Sequence, residues 1–236
     1  MSQSRCCPPQ NSSEPQSPCC SAAEEPVPQP CCPPTKEPCC PAPAVRDDLP
    51  GYKLWPFVSG WLDTVVGRIP QVETRLSWRD HREHWQMRWG IGRMRYSLAA
   101  GLYACGRPDA SSEVLVTANY KMSFDLLRSS LAGRDLWLLV LDTRGINVWC
   151  AAGKGTFGTG ELVERIAATR LADLVEHRRL ILPQLGAPGV AAHDVKKQSG
   201  FQVVYGPVRS QDLPRFFDDG LKASEDMRRV SFWLRE

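Results

Sequence analysis

The sequence predicts an α/β domain built on a doubly wound, mainly parallel, Rossmann-like sheet with a cap helix, preceded by a disordered Cys/Pro-rich tail. Three observations lead there. From residue 113 onward, short apolar runs alternate with helical stretches four times. Those runs are apolar nearly throughout, not at every second position, which marks strands covered on both faces. The turns after them are small, polar or rich in glycine, as the ligand-binding carboxyl ends of such sheets are.

Taken in order, "EVLVTANY" (113–120) reads as a β-branched strand, followed by a helix over "SFDLLRSSLAG" with Ser123 as N-cap and Gly133 as terminator. "DLWLLVLD" (135–142) is a second strand. A cysteine-bearing turn leads to one long helix, "ELVERIAATRLADLVEHR" (161–178), and a third strand, "RLILPQLG" (179–186). "AAHDVKKQSG" then forms a short helix, "FQVVYGPV" (201–208) a fourth strand, and "SQDLPRFFDDG" a last helix. The strand ends at Thr117, Asn119, Asp142, Gly186 and Gly206 form the candidate rim, where glycine lets a large ligand approach the backbone.

The 236 residues, 42% apolar, suffice for one well-filled domain and a tail, so the chain divides into a tail at 1–50, a Trp/Arg-rich lead-in segment at 51–92 and an α/β domain at 93–236. A net charge of +3 gives no argument for nucleic acid. The chain has neither a signal-peptide core nor an apolar run of about 18 residues, so it reads as cytoplasmic. The tail holds eight of the ten cysteines and 13 of the 20 prolines and lacks the large apolar residues of a core. Its cysteines are adjacent pairs, Cys6-Cys7, Cys19-Cys20, Cys31-Cys32 and Cys39-Cys40. Such pairs suit a soft, thiolate-loving metal better than tetrahedral zinc; a low-complexity linker is the other reading.

In the lead-in segment, His81 and His84 could pair as metal ligands on a helix, but HExxH is absent and a third ligand is not evident. "GKGTFG" (153–158) matches GxGxxG but stands about ten residues beyond its strand, so a dinucleotide site is not expected. A Walker A loop fails as well, because Val148 and Gly155 occupy positions that need Gly and Ser/Thr. Cys150 remains. With Asn147 as N-cap it is the third residue of a helix, where free N–H groups and the helix dipole favour a thiolate. Three readings stand: a small buried cysteine, a nucleophile served by His193, or an axial ligand to a metal carried by a cofactor, with Trp149 and Phe157 flanking it and Gly153, Gly155 and Gly158 admitting a flat macrocycle.

"NVWCAAGKGTFGT" (147–159), together with "GLYACGRPD" (101–109), "VLVTANYKMSFD" (114–125) and "LILPQLGAPGVAAHDVKKQSGFQVVYGPVR" (180–209), closely resembles the corrinoid-binding domain of the mercury-methylation corrinoid protein family (HgcA), within a wider corrinoid iron–sulfur protein superfamily. The resemblance spans roughly residues 92–233. It implies a cobalamin-type corrinoid with Cys150 as cobalt ligand. Asn147, Val148, Trp149, Ala151, Ala152, Gly153 and Lys154 would form the cap, and Thr117 and Ser123 would line the corrinoid. It further implies a methyltransferase fed by a methylated folate-type donor, passing methyl to Hg(II), reduced by a ferredoxin-like iron–sulfur partner and attached to the inner membrane through helices beyond this stretch. A thiolate below cobalt would push electron density toward the methyl carbon. The alternatives are a corrinoid methyl carrier of the acetyl-CoA pathway, expected to bring its own cluster cysteines and to need no axial cysteine, and a non-catalytic soft-metal-binding protein. The Cys-pair tail lies outside the family pattern.

Overall fold

The computed structural model describes residues 55–92 and 95–230. The tail pairs Cys6, Cys7, Cys19, Cys20, Cys31, Cys32, Cys39 and Cys40 lie outside the described residues. Strands β1 (Val58–Thr64), β2 (Gly67–Val72), β3 (Gly101–Cys105), β4 (Val114–Ala118), β5 (Leu136–Leu141), β6 (Arg179–Leu182) and β7 (Gln202–Tyr205) form one sheet in the order β1-β2-β3-β5-β4-β6-β7. The block β5-β4-β6-β7 is wholly parallel, and β3 joins it antiparallel to β5. This is the expected doubly wound arrangement with a mixed edge. Every residue of β4 and β5 is buried, as their unbroken apolar runs require.

Helices cover both faces. One face carries α3 (Val148–Gly153), α4 (Thr159–Ala168), α5 (Leu171–Leu174) and α6 (Ala192–Ser199), whose Ala151, Phe157, Leu162, Leu171 and Val195 neighbourhood packs on Val116, Leu139 and Leu141. The other carries α2 (Lys121–Ser129) and α7 (Leu213–Asp218), with Phe124, Leu127 and Phe216 against Leu115, Leu138 and Ile181. Alternate strand residues thus feed two separate cores. Helices α1 (Trp78–Arg88) and α8 (Glu225–Arg228) complete the set. Among the described residues no helix is long and apolar enough to cross a membrane.

Several expected boundaries move. Ser123 is not an N-cap, because α2 begins at Lys121, drawn into the first turn by Asp125 one turn on and by Asp80 of α1. The single helix over 161–178 is two, α4 and α5. Thr169 bonds back to the Arg165 carbonyl, and Arg170 turns left-handed (φ 51°), which redirects Leu171 and Leu174 into the core. β6 ends at Leu182 and gives way to a 3-10 turn over Gln184–Gly189, and β7 ends at Tyr205. The Trp/Arg-rich lead-in segment contributes the β1–β2 hairpin and α1, and β3 also lay beyond the sequence reading. Cys105 is fully buried in β3.

Candidate functional site

In an open parallel sheet, ligands collect where successive connections run to opposite faces. Here that point lies between β4 and β6. β4 pairs with β5 over five residues but meets β6 only at Leu115 and Ile181, so the two strands part toward their carboxyl ends. A cleft of about 510 Å³ opens there. Its floor is Leu115, Val116 and Thr117 of β4 and Ile181, Leu182 and Pro183 of and after β6. One wall is Ser123, Leu126 and Leu127 of α2; the other is Asn147, Val148 and Trp149 at the start of α3. The segment 206–211 after β7 closes the far side, with Arg88 and Val230 at the edge. Among the described residues that line it there is no carboxylate, so the cleft suits a ligand with a broad apolar face and neutral or anionic edges.

Helix α3 explains the cysteine motif locally. Asn147 is its N-cap, and the Asn147 Oδ1 accepts the Cys150 N–H at 2.9 Å. Val148, Ala151 and Ala152, spaced by three and four, turn into the core, while Trp149, Cys150 and Gly153 face outward. Cys150 is exposed, so the reading of it as a small buried packing residue does not hold. His193 sits in the first turn of α6 with its side chain largely exposed, and its described partner is Asp194 at 3.4 Å, which leaves no support for a Cys150–His193 pair.

The predicted rim divides into two groups. Thr117, Ser123, Asn147, Val148, Trp149 and Gly206 line the cleft. Asn119, Cys150, Ala151, Ala152, Gly153, Lys154 and Gly186 do not. Ala151 and Ala152 are buried beneath α3, and Gly153 and Lys154 are exposed at its end. Gly186 serves internal packing, since a Cβ there would meet the Phe157 ring at 2.5 Å. Asn119 stands behind the site. Its Oδ1 accepts from the Thr143 and Gly145 amides and the Thr143 hydroxyl at 2.8–3.1 Å, and its Nδ2 donates to Asp142 at 3.0 Å. A single buried amide thereby orders the 142–146 loop that delivers Asn147 to the head of α3. Pro207, named with Gly206 as a strand-end turn, lines the cleft, and the stretch beyond it, Val208 to Gln211, belongs to the cleft and was missed; its signal was only that it follows a carboxyl strand end. His84 does not pair with His81 for a metal: its Nε2 lies 2.8 Å from Asp125 Oδ2. Among the described residues no cluster of three metal-binding side chains occurs.

The α2 wall is fixed by charges out of water. Lys121 Nζ lies 2.7 Å from Asp80, 2.6 Å from Asp125 and 3.1 Å from Glu83, and Arg128 donates from Nε to Asp125 at 2.8 Å and pairs ionically through Nη2 with Asp80 at 3.0 Å. Burial alone would push the Asp80 and Asp125 carboxyls up. Instead Lys121 and the Ser77 cap at Asp80, and His84, Lys121 and Arg128 at Asp125, hold both below the usual carboxylate range. Burial likewise lowers the Lys121 ammonium, and Asp125 with Asp80 more than reverses it, so its pKa ends raised.

Comparison with known proteins corrects one expectation. A profile described as CO dehydrogenase/acetyl-CoA synthase delta subunit (CdhD) matches residues 93–217. The acetyl-CoA decarbonylase/synthase complex subunit gamma of Methanopyrus kandleri is 39% identical over 130 residues, which is 53% of this chain and 28% of the relative. The corresponding subunits of Archaeoglobus fulgidus and Methanocaldococcus jannaschii are 31% and 32% identical over 47% and 49% of this chain. This chain spans only about a quarter of each of these relatives, 28%, 23% and 24% respectively. The resemblance to the mercury-methylation family (HgcA) is thus not upheld, since the relatives found are acetyl-CoA decarbonylase/synthase subunits. The match over 93–217 takes in β3 to α7, with both walls and the floor of the cleft, and on it the chain belongs to the CO dehydrogenase/acetyl-CoA synthase delta subunit family.

Proposed function

We propose that this chain is a corrinoid-binding methyl carrier acting with protein partners of the acetyl-CoA decarbonylase/synthase kind. The observation that carries the reading is the cleft between the parted ends of β4 and β6, bordered by an Asn147-capped helix with an outward-facing cysteine. The fit is chemical. A corrinoid has a broad apolar face and an edge of neutral amides. The cleft has a floor of Val116, Ile181 and Leu182 for the one, and the Thr117 and Ser123 hydroxyls for the other. A bound corrinoid would supply a cobalt centre that takes up and releases a methyl group.

The chain's own residues hold and orient. The apolar floor excludes water from the buried face, and Gly206 keeps that floor low, because a Cβ there would press on Ile181 at 3.3 Å. Although a carrier of this kind was expected to need no cysteine on cobalt, the exposed Cys150 would be the residue of this chain that holds the metal, and Asn147 and Asn119 fix the segment that presents it. The remaining cap residues, Ala151, Ala152, Gly153 and Lys154, act through the shape of α3. A methylated folate-type donor and a ferredoxin-like reductant complete the reading as partners. Transfer within an acetyl-CoA-forming assembly is favoured over transfer to Hg(II), because the relatives bear the names of that complex.

The test is an anaerobic titration of the whole chain with cobalamin, read by visible absorption. The expected outcome is saturable binding with a spectrum that changes to a water-ligated form in Cys150→Ala, with binding retained. A chain that binds no cobalamin overturns the cofactor assignment, and an unchanged spectrum in Cys150→Ala overturns the ligand. The acceptor is read separately, by incubating the methylated complex with either a purified acetyl-CoA synthase subunit or Hg(II). Methyl delivered to Hg(II) alone would defeat the acceptor proposed here.

A further inference from the structure

Helix α1 is built inside out. At about 100° per residue, Trp78, Arg82, Trp85 and Trp89 fall within about 60° of one another on one face. The opposite face carries Asp80, Glu83, His84 and Met87. The usual arrangement would bury the indoles and expose the carboxylates. Here Trp78, Trp85 and Trp89 are 84%, 69% and 71% exposed, while Asp80 and Glu83 are buried. The buried side is ionic because α2 meets it with Lys121 and Arg128, so the carboxylates have partners inside and the indoles have none there. Trp85 and Trp89 lie with ring centroids 5.8 Å apart and form one continuous aromatic surface, and Ile91, two residues on, is 62% exposed.

We infer that the Trp78–Arg82–Trp85–Trp89 face of α1 is a docking surface for a protein partner that presents an apolar groove edged with carboxylates. Three physical arguments select that occupant. Three indoles expose on the order of several hundred Å² of mainly apolar surface, beyond the scattered apolar residues a free surface carries. The face is made of Trp and Arg, the side chains most enriched at interface hot spots, and contains no Lys, Asp or Glu. Both carboxylates of α1 are turned inward, so the face is basic with no charge of its own to offset Arg82, and an acidic rim complements it. The inference rests on the reading above only in taking the partner to be a protein. α1 precedes the residues matched by the family profile, so the surface lies outside that matched stretch.

The experiment places a photo-crosslinking phenylalanine at position 85 of the whole chain in the cells that make it, with the same replacement at Val65, exposed on the β1–β2 hairpin, as control. The protein captured at 85 is then purified and titrated against the chain. Support requires a single captured protein of acidic surface, absent from the Val65 control. Its binding must weaken about thirtyfold in Trp85→Ala or Trp89→Ala and lose part of its salt dependence in Arg82→Ala. Each variant must still bind cobalamin as the parent does, which separates failure of this surface from failure of the cofactor assignment. Capture of nothing, capture of a second copy of this chain, or capture of a basic protein overturns the inference. So does binding to phosphatidylglycerol vesicles that the same tryptophan substitutions abolish, since the occupant would then be a lipid surface.

Discussion

The two walls of the cleft are fastened by opposite physics. On one side, α2 is held to α1 by Lys121, Arg128, Asp80, Glu83 and Asp125, charges almost wholly out of water and paired with one another at 2.6–3.1 Å. On the other, α3 and its connection lie on the 184–189 turn through contacts that admit no extra atom: the Phe157 ring sits over Gly186, and a Cβ at Gly189 would meet the Phe157 carbonyl oxygen at 2.1 Å. The first wall depends on direction and charge balance, the second on volume. The two should therefore fail under different insults, which makes the comparison testable.

Removing one ion should have the largest effect. Asp125→Ala leaves Lys121 and Arg128 short of a counter-ion in a buried site, at a cost of about 3–5 kcal/mol, to be read by denaturant unfolding. Phe157→Ala empties the apolar wall and should cost about 3 kcal/mol, with no dependence on pH. Acid separates the walls further. The Asp80 and Asp125 pKa values are depressed in the folded state, so their contribution is complete above the unfolded value of about 3.9 and is lost as pH falls through the folded values. The Lys121 pKa is raised, so its contribution is present below about 10.4 and is lost only as pH rises through its higher folded value. Stability of the parent should decline below about pH 4. In Asp125→Ala that decline should be shallower, and an equal slope would show that the ionic wall does not govern it.

Crowding the apolar wall should do less. Gly186→Ala forces the Phe157 ring aside at about 1–3 kcal/mol, and in a Phe157→Ala background the penalty should largely vanish, because the two changes share one space. Smallest of all, Cys150→Ala should alter stability by no more than about 0.5 kcal/mol, since the side chain is exposed. Alkylation of the native chain with peptide mapping should mark Cys150 and spare Cys105, whose thiol burial and the nearby Asp135 push up to about 11. Equal labelling of the two would remove the contrast.

Much of the framework was legible because it is local. Unbroken apolar runs located β4 and β5, and "NVWCAAG" carries its own cap, so α3 follows from sequence, whereas the exposure of Cys150 was left open between a buried and a ligating reading and was decided by the fold. The boundaries of α2 and of the helix pair α4 and α5 were not legible. Lys121 enters its helix because of Asp80, 41 residues earlier, and Arg170 turns left-handed to bury leucines against a distant sheet. The lead-in segment hid its hairpin and its inverted helix for the same reason: its pattern is set by partners elsewhere in the chain, not by a face of its own.

By itself, then, the sequence determined the parallel α/β order, the position of Cys150 in the third place of a capped helix, and the small residues at the carboxyl strand ends, all consequences of short-range periodicity and capping. Only the tertiary structure decided which of those residues share the cleft. It turned Asn119 away to order the loop before α3, set Gly186 beneath Phe157, parted β4 from β6, and aimed the tryptophans of α1 at solvent. Each of those outcomes depends on which groups far apart in sequence must satisfy one another once water is excluded, and no local pattern encodes that.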